Sequence, residues 1–175
     1  SESYTLTATA NGVSQSGKAT ITDAADVPVI QTVVGDSVAE GSSNTFTINL
    51  SNSSTSATDV SFKLVSGTAT VGSDTGEVRV NTGSGYVVAT LGADDLYHVS
   101  VPAGSSSFSV QVVSTQDTSY EGSESYTLTA TANGVSQSGT ATITDAADVP
   151  VIQTVVGDSV AEGSSNTFSI NLSNS

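Results

Sequence analysis

The chain contains no cysteine, no methionine and no tryptophan. Disulfides, thiolate metal sites and a thiol nucleophile are therefore excluded. Positive charge is almost as scarce, with three Lys and Arg against 17 Asp and Glu and a formal charge of −14. That balance repels phosphate backbones and anionic lipid, so no nucleic-acid partner is expected and cations are the natural counterpart. No apolar run approaches the roughly 18 residues of a membrane span, so direct membrane insertion is not expected either. The single histidine, His98 in LeuTyrHisValSer, has no cysteine or second histidine with which to share a transition metal. It is expected to be an outward strand residue. Serine is abundant, but no Gly-x-Ser-x-Gly elbow surrounds it, and no acid, base and nucleophile can be assembled into one site. The chain is not expected to be an enzyme.

What the sequence does have is a long internal repeat. Ser1 to Ser53 recurs at Ser123 to Ser175 with an offset of 122 and two changes, Lys18 becoming Thr140 and Thr47 becoming Ser169. Near-identity of this extent, surface positions included, points to recent duplication of a unit in a longer tandem array. ThrAspAlaAlaAspValPro, at 22 to 28 and again at 144 to 150, joins an alternating run to a new apolar run through a proline that cannot continue a sheet ladder. Placing the boundary there makes residues 27–148 one complete repeat of ordinary domain size. Residues 1–26 are then the C-terminal part of the preceding repeat and residues 149–175 the N-terminal part of the following one. Neither end piece can bury a core alone. Either the head of one molecule and the tail of the next are expected to complete each other end to end, or the stretch is a window on a longer fibre.

Hydrophobic alternation sets the fold class. Phe46, Ile48 and Leu50 alternate with Thr45, Thr47 and Asn49, and Val60, Phe62 and Leu64 alternate with Ser61 and Lys63. Phe108, Val110 and Val112 continue the pattern, as do Tyr126, Leu128 and Ala130 against Thr127, Thr129 and Thr131. A period of two with Gly, Asn, Ser or Pro between runs specifies half-buried strands. Asn133-Gly134 between two such runs is a two-residue hairpin signal. The expectation is an all-β, immunoglobulin-like antiparallel β-sandwich of seven to nine strands. Phe46, Ile48, Leu64, Phe108, Val110, Leu128 and Ile143 should be buried together, with Thr127, Thr129 and Thr142 facing solvent. GluValArgValAsn and TyrValValAlaThrLeu, flanking a Gly-Ser turn within 77–95, read as an inserted hairpin, and Asp94 and Asp95 after it as a solvated acidic turn. Tyr86, Tyr97 and Tyr120 are expected in core or edge packing. Asn49 and Asn52 match the glycosylation pattern, which is common in a Ser-rich chain.

Five segments in order, ValAlaGluGly (38–41), GlyThrAlaThrValGlySerAsp (67–74), ValProAlaGly (101–104), AspThrSerTyrGluGlySerGlu (117–124) and AlaThrIleThrAsp (141–145), carry a family resemblance. The chain resembles the Calx-β domain, and specifically the Calx-β-like or immunoglobulin-like extender repeats of giant RTX-type bacterial surface adhesins. The resemblance implies Ca²⁺ bound at one end of the sandwich, with Glu40, Asp74, Asp117, Glu121 and Asp145 as side-chain ligands. It further implies a main-chain carbonyl near Ser119, with Asp148 added at the linker. ThrGlnAspThr at 115–118 and AspAlaAlaAsp at 145–148 carry fewer carboxylates than the family often has there. The implied function is a calcium-stiffened spacer at an extracellular bacterial cell surface, projecting a tip for adhesion or biofilm formation. Its immediate partners would be neighbouring repeats, end to end, with any glycan or host-surface ligand engaged through other regions. Two other classes stay open: a glycan- or surface-binding sandwich module, and a self-assembling filament or sheath subunit.

Overall fold

The structure, a computed structural model, describes residues 2–22 and 26–173. Residues 23–25 of the first ThrAspAlaAlaAspValPro segment, and Ser1, Asn174 and Ser175 of the two end pieces, lie outside the described residues. The chain is all-β. Two five-stranded sheets pack face to face in its centre. One runs β3 (Ile30–Val34), β5 (Ser43–Leu50), β10 (Ser107–Ser114), β7 (Thr75–Asn81), β8 (Val87–Val88). The other runs β4 (Ser37–Ala39), β12 (Val135–Thr144), β11 (Ser123–Ala132), β6 (Thr58–Ser66), β9 (Tyr97–Val101). Pairing is antiparallel except for β4 with β12, which is parallel. The central sandwich thus holds ten strands, above the seven to nine expected, because alternation cannot reveal strands as short as β4 and β8.

Each sheet turns its alternate side chains into one core. Phe46, Ile48, Leu50, Val78, Val80, Phe108, Val110 and Val112 face Val60, Phe62, Tyr126, Leu128, Ala130 and Ile143. Burial of these apolar faces is the main driving force of the fold. Leu64 departs from the expected inward set, being only half-buried against the rim. Thr127, Thr129 and Thr142 are half-buried where exposure was expected. The Thr129 hydroxyl lies 2.8 Å from that of Ser138, one strand over, and the Thr127 and Thr140 hydroxyls lie 3.5 Å apart, so each row shades its neighbour.

The 77–95 stretch is not a peripheral insertion throughout. β7 runs between β10 and β8 with Val78 and Val80 buried, and only the turn and β8 project. Tyr97 stacks on Phe62 with centroids 5.0 Å apart, whereas Tyr86 and Tyr120 are exposed. His98 is exposed on β9 and bonds the Asp94 carboxylate at 3.0 Å.

A polar bridge crosses the core. The Tyr126 hydroxyl donates to Asn44 Oδ1 (3.2 Å), and Asn44 Nδ2 donates to Asp36 Oδ1 (2.9 Å) and to the Thr142 carbonyl (3.1 Å). Asn44 is fully buried, and these bonds satisfy groups that would otherwise carry a desolvation penalty. Burial also raises the Tyr126 phenol pKa, so it stays a donor.

The chain enters and leaves this sandwich at opposite poles. Asn133 and Gly134 take positive φ (48° and 79°) in the expected hairpin turn, and Asn133 Nδ2 donates to the Pro28 carbonyl at 2.7 Å. The entering strand therefore starts beside the tip of the last hairpin. The chain leaves at Thr144, ten strand residues along β12, roughly 30 Å at ~3.3 Å per residue. The seven linker residues 145–151 reach at most about 25 Å when fully extended, so the linker itself cannot carry the chain back to the entry pole.

Two hairpins flank the sandwich. β1 (Glu2–Ala10) pairs with β2 (Val13–Ile21), and β13 (Ile152–Gly157) with β14 (Phe168–Leu172). Every residue of these four strands is exposed.

Leu128→Ala should cost about 2–5 kcal/mol, because it leaves a cavity between the sheets, whereas Thr129→Ala should stay within roughly 1 kcal/mol. Chemical denaturation of the two variants checks this, and equal losses would contradict the register.

Candidate metal centre

The exit pole is built from loops that the strands bring together. β4 delivers Glu40, whose amide donates to the Thr144 carbonyl at 3.0 Å. The turn before β7 delivers Asp74, and its carboxylate accepts from the Thr70 amide at 2.6 Å. The segment after β10 carries Asp117, which accepts the Ser119 amide at 2.7 Å, and Glu121. Asp145 directly follows β12, and Asp148 lies in the linker beyond it.

These carboxylates converge in three overlapping groups whose oxygens lie within 4.8 Å of one another: Glu40, Asp145 and Asp148; Glu40, Asp117 and Glu121; Asp74, Glu121 and Glu124. Glu40 links the first two groups and Glu121 the last two. All six side chains implied by the resemblance are thus at one pole. At Ser119 the bond to Asp117 is made by the amide N–H, and it holds the loop in place.

Glu124 is a seventh member that the sequence reading missed. It shares the parity of Tyr126 and Leu128 on β11, so alternation points it to the inner side at the strand's end. A carboxylate there is a signal, because a charge is kept on a core-facing position only with a partner. Asp145 shares the parity of Ala141 and Ile143 in the same way and is buried, 6% exposed. Its carboxylate is organised by the chain itself, accepting from the Glu121 amide (2.9 Å) and the Asp148 amide (3.3 Å).

Among the described residues, no Lys or Arg pairs with the cluster. The polar donor at its centre is the Gln116 amide, which donates to Glu40 Oε2 (3.3 Å), the Asp117 carbonyl (3.0 Å) and Asp148 Oδ2 (3.1 Å). Desolvation, and then the charges of Asp117 and Asp145, raise the pKa of Glu40. Desolvation followed by Asp117 and Asp74 raises Glu121, and desolvation followed by Asp74 and Glu121 raises Glu124. The donor set is oxygen only, several carboxylates on loops, which suits a hard divalent cation with a high and flexible coordination number. Asp94 lies elsewhere, with its pKa lowered chiefly by the hydrogen bond to His98.

No protein-family profile and no curated protein sequence matches the chain. Among solved structures it is similar to CBD12 from CALX1.2, at 17% identity and a TM-score of 0.47, over 66% of this chain and 45% of that one. It is also similar to the apo-form Calx CBD1 domain, at 14% identity and a TM-score of 0.47, over 67% of this chain and 97% of that one. The chain therefore spans less than half of the CBD12 chain.

Raised carboxylate pKa values mean that the folded, metal-free protein binds protons more tightly than the unfolded chain. Its stability from these groups falls as pH rises from the ordinary glutamate range through the raised values. Glu121→Gln should accordingly stabilise the chelated protein near neutral pH, and should destabilise it relative to wild type when the cation is present. Melting curves with chelator and with cation check this, and a change of the same sign in both would contradict it.

Proposed function

We propose that the chain is a calcium-stiffened structural spacer, an extender segment of an extracellular bacterial cell-surface adhesin. The observation that carries this is the continuation of the carboxylate cluster onto Asp148, a residue of the linker that leaves the unit. A cation seated there ties the body of the sandwich to the chain that leads onward. Ca²⁺ supplies six to eight oxygen bonds of flexible geometry, matching a loop-borne carboxylate set. Glu40, Asp74, Asp117, Glu121, Glu124 and Asp145 would hold it from the sandwich and Asp148 from the linker, with the Ser119 carbonyl as a further donor.

The opposite pole supports the same reading. Asn52 Nδ2 donates to the Asp26 carbonyl (2.7 Å) and Asn133 Nδ2 to the Pro28 carbonyl (2.7 Å), while the Ser51 amide donates to the Val29 carbonyl (2.9 Å). Asp26 is the counterpart of Asp148 one repeat earlier. Superposing the two positions gives a linker residue whose carbonyl is gripped by the unit ahead and whose carboxylate joins the cluster of the unit behind. With entry and exit at opposite poles, successive units run in line, residues 27–148 being one such unit. Extracellular modules bind Ca²⁺ at about 0.1–1 mM, and on this reading the protein works outside the cell. A second reading, a surface- or glycan-binding module, is favoured by one feature, the exposed Tyr86, Val87, Val88 and Leu91 along the β8 edge.

Chelation should lower the melting temperature, shorten a multi-unit chain in solution scattering and open residues 145–150 to protease. A ligand present at ~100 times its dissociation constant adds about 2.7 kcal/mol per ion. Asp117→Asn with Glu121→Gln should blunt the response while leaving the sandwich folded. If chelation changes neither the melting temperature nor the scattering-derived length, the spacer mechanism fails.

A further inference from the structure

One side chain at the exit pole is neither a carboxylate nor a core residue, yet it touches both sides of the joint. Gln116 follows β10 on a backbone that is pinned just before it. The Ser114 amide and hydroxyl both donate to the Ser42 carbonyl at 2.8 Å, and the Thr115 amide donates to the Asp74 carbonyl at 3.0 Å. From that fixed base the exposed Gln116 side chain reaches over the cluster. Its Nε2 lies 3.3 Å from Glu40 Oε2, 3.1 Å from Asp148 Oδ2 and 3.0 Å from the Asp117 carbonyl oxygen. Glu40 belongs to the sandwich and Asp148 to the linker, so one NH₂ group spans the joint.

The partial positive charge of that group sits at the focus of three oxygens, two of them carboxylate oxygens, where the charge of a cation would also be most stabilised. Glu40 and Asp148 are moreover members of one carboxylate group whose oxygens lie within 4.8 Å of one another. The amide is oriented from behind. Gly41 has a φ of 74°, and a Cβ there would lie 2.9 Å from Gln116 Oε1 and 3.3 Å from Gln116 Cβ. The carbonyl end of the amide thus packs against a bare backbone while the NH₂ end turns to the carboxylates. The opposite flip would set Oε1 against two ionised acceptors with no proton between them. Because Gln116 is exposed, its side chain can swing clear without disturbing the core.

We infer, resting on the reading that the exit pole takes a divalent cation, that Gln116 is a stand-in for that cation: its amide holds the linker on the sandwich when no cation is bound, and is displaced when a cation takes the Glu40 and Asp148 oxygens. The joint then has two closed forms, one latched weakly by an amide and one firmly by an ion. Since amide and cation compete for the same oxygens, Gln116 stabilises the cation-free joint and by the same amount weakens cation binding. It sets the concentration at which the joint stiffens.

Hydrogen exchange of the 146–149 amides and calorimetric Ca²⁺ titration, both on the full chain, test it. Gln116→Met keeps the reach of the side chain and removes the donor. In chelator its linker amides should exchange about three- to tenfold faster than wild type, the worth of roughly one net hydrogen bond. Its Ca²⁺ affinity should rise by a similar factor, and at saturating Ca²⁺ its linker should exchange at the wild-type rate. Gln116→Lys places a tethered positive charge on the same oxygens. Its linker amides should exchange no faster than wild type in chelator, while Ca²⁺ affinity falls about tenfold or more. A Met variant whose chelated linker exchanges like wild type overturns the latch. A Met variant that binds Ca²⁺ no more tightly than wild type overturns the competition, since the amide would then support the bound state instead. Absence of Ca²⁺ uptake by all three chains would sink the cation reading and the displacement with it, and is told apart from failure of the latch because the chelated arm uses no cation.

Discussion

Seven carboxylates held at one pole of a β-sandwich repel one another, and the organisation of that pole follows from how the repulsion is offset. Among the described residues, backbone amides serve Asp74, Asp117 and Asp145, the Gln116 side-chain amide serves Glu40, and no Lys or Arg joins them. Desolvation, and after it the charges of neighbouring carboxylates, raises Glu40, Glu121 and Glu124, and a bound cation would relieve both. The strands make the cluster unavoidable. β11 and β12 are fixed by inward residues that fill the core, and their ends carry Glu124 and lead to Asp145, while β4, paired with β12, brings Glu40 beside them.

On the proposed reading, polarity along the chain would turn a local site into a mechanical one. β12 runs the length of the sandwich, so the cluster lies beside the exit while the Asn133 turn lies beside the entry. Asparagine side chains at the entry hold the carbonyls of the incoming linker, and carboxylates at the exit surround the outgoing one. A hinge with both sides anchored has little freedom left. On the same reading, removing a bound cation would restore repulsion where loosening would change the shape of an array.

Much of the sandwich was legible in the sequence because a period of two is a direct consequence of burying one face of a strand. Phe46, Phe108 and Leu128 announce themselves this way, and Asn133-Gly134 announces its turn. β4 and β8 do not, since two or three residues carry no period. The 77–95 stretch was misplaced because its Gly-Ser turn resembles an insertion, whereas Val78 and Val80 belong to the core. At the site, the positions of Glu40, Asp74, Asp117, Glu121, Asp145 and Asp148 came from family resemblance, because loop residues have no periodicity that would bring them together. Glu124 was legible from parity alone, as a charge in phase with core residues. The role of Gln116 was not legible, since a neutral amide among hydroxyl residues shows its value only when three acceptors are seen around it.

The most direct measurement of the central claim is a Ca²⁺ titration of the full chain followed by backbone amide resonances. Saturable shifts confined to residues around 40, 74, 117–124 and 145–148, reproduced only weakly by Mg²⁺, are the predicted result. Shifts that fail to saturate, or that centre on Asp94 and Asp95 instead, would contradict the assignment of the cation to the exit pole.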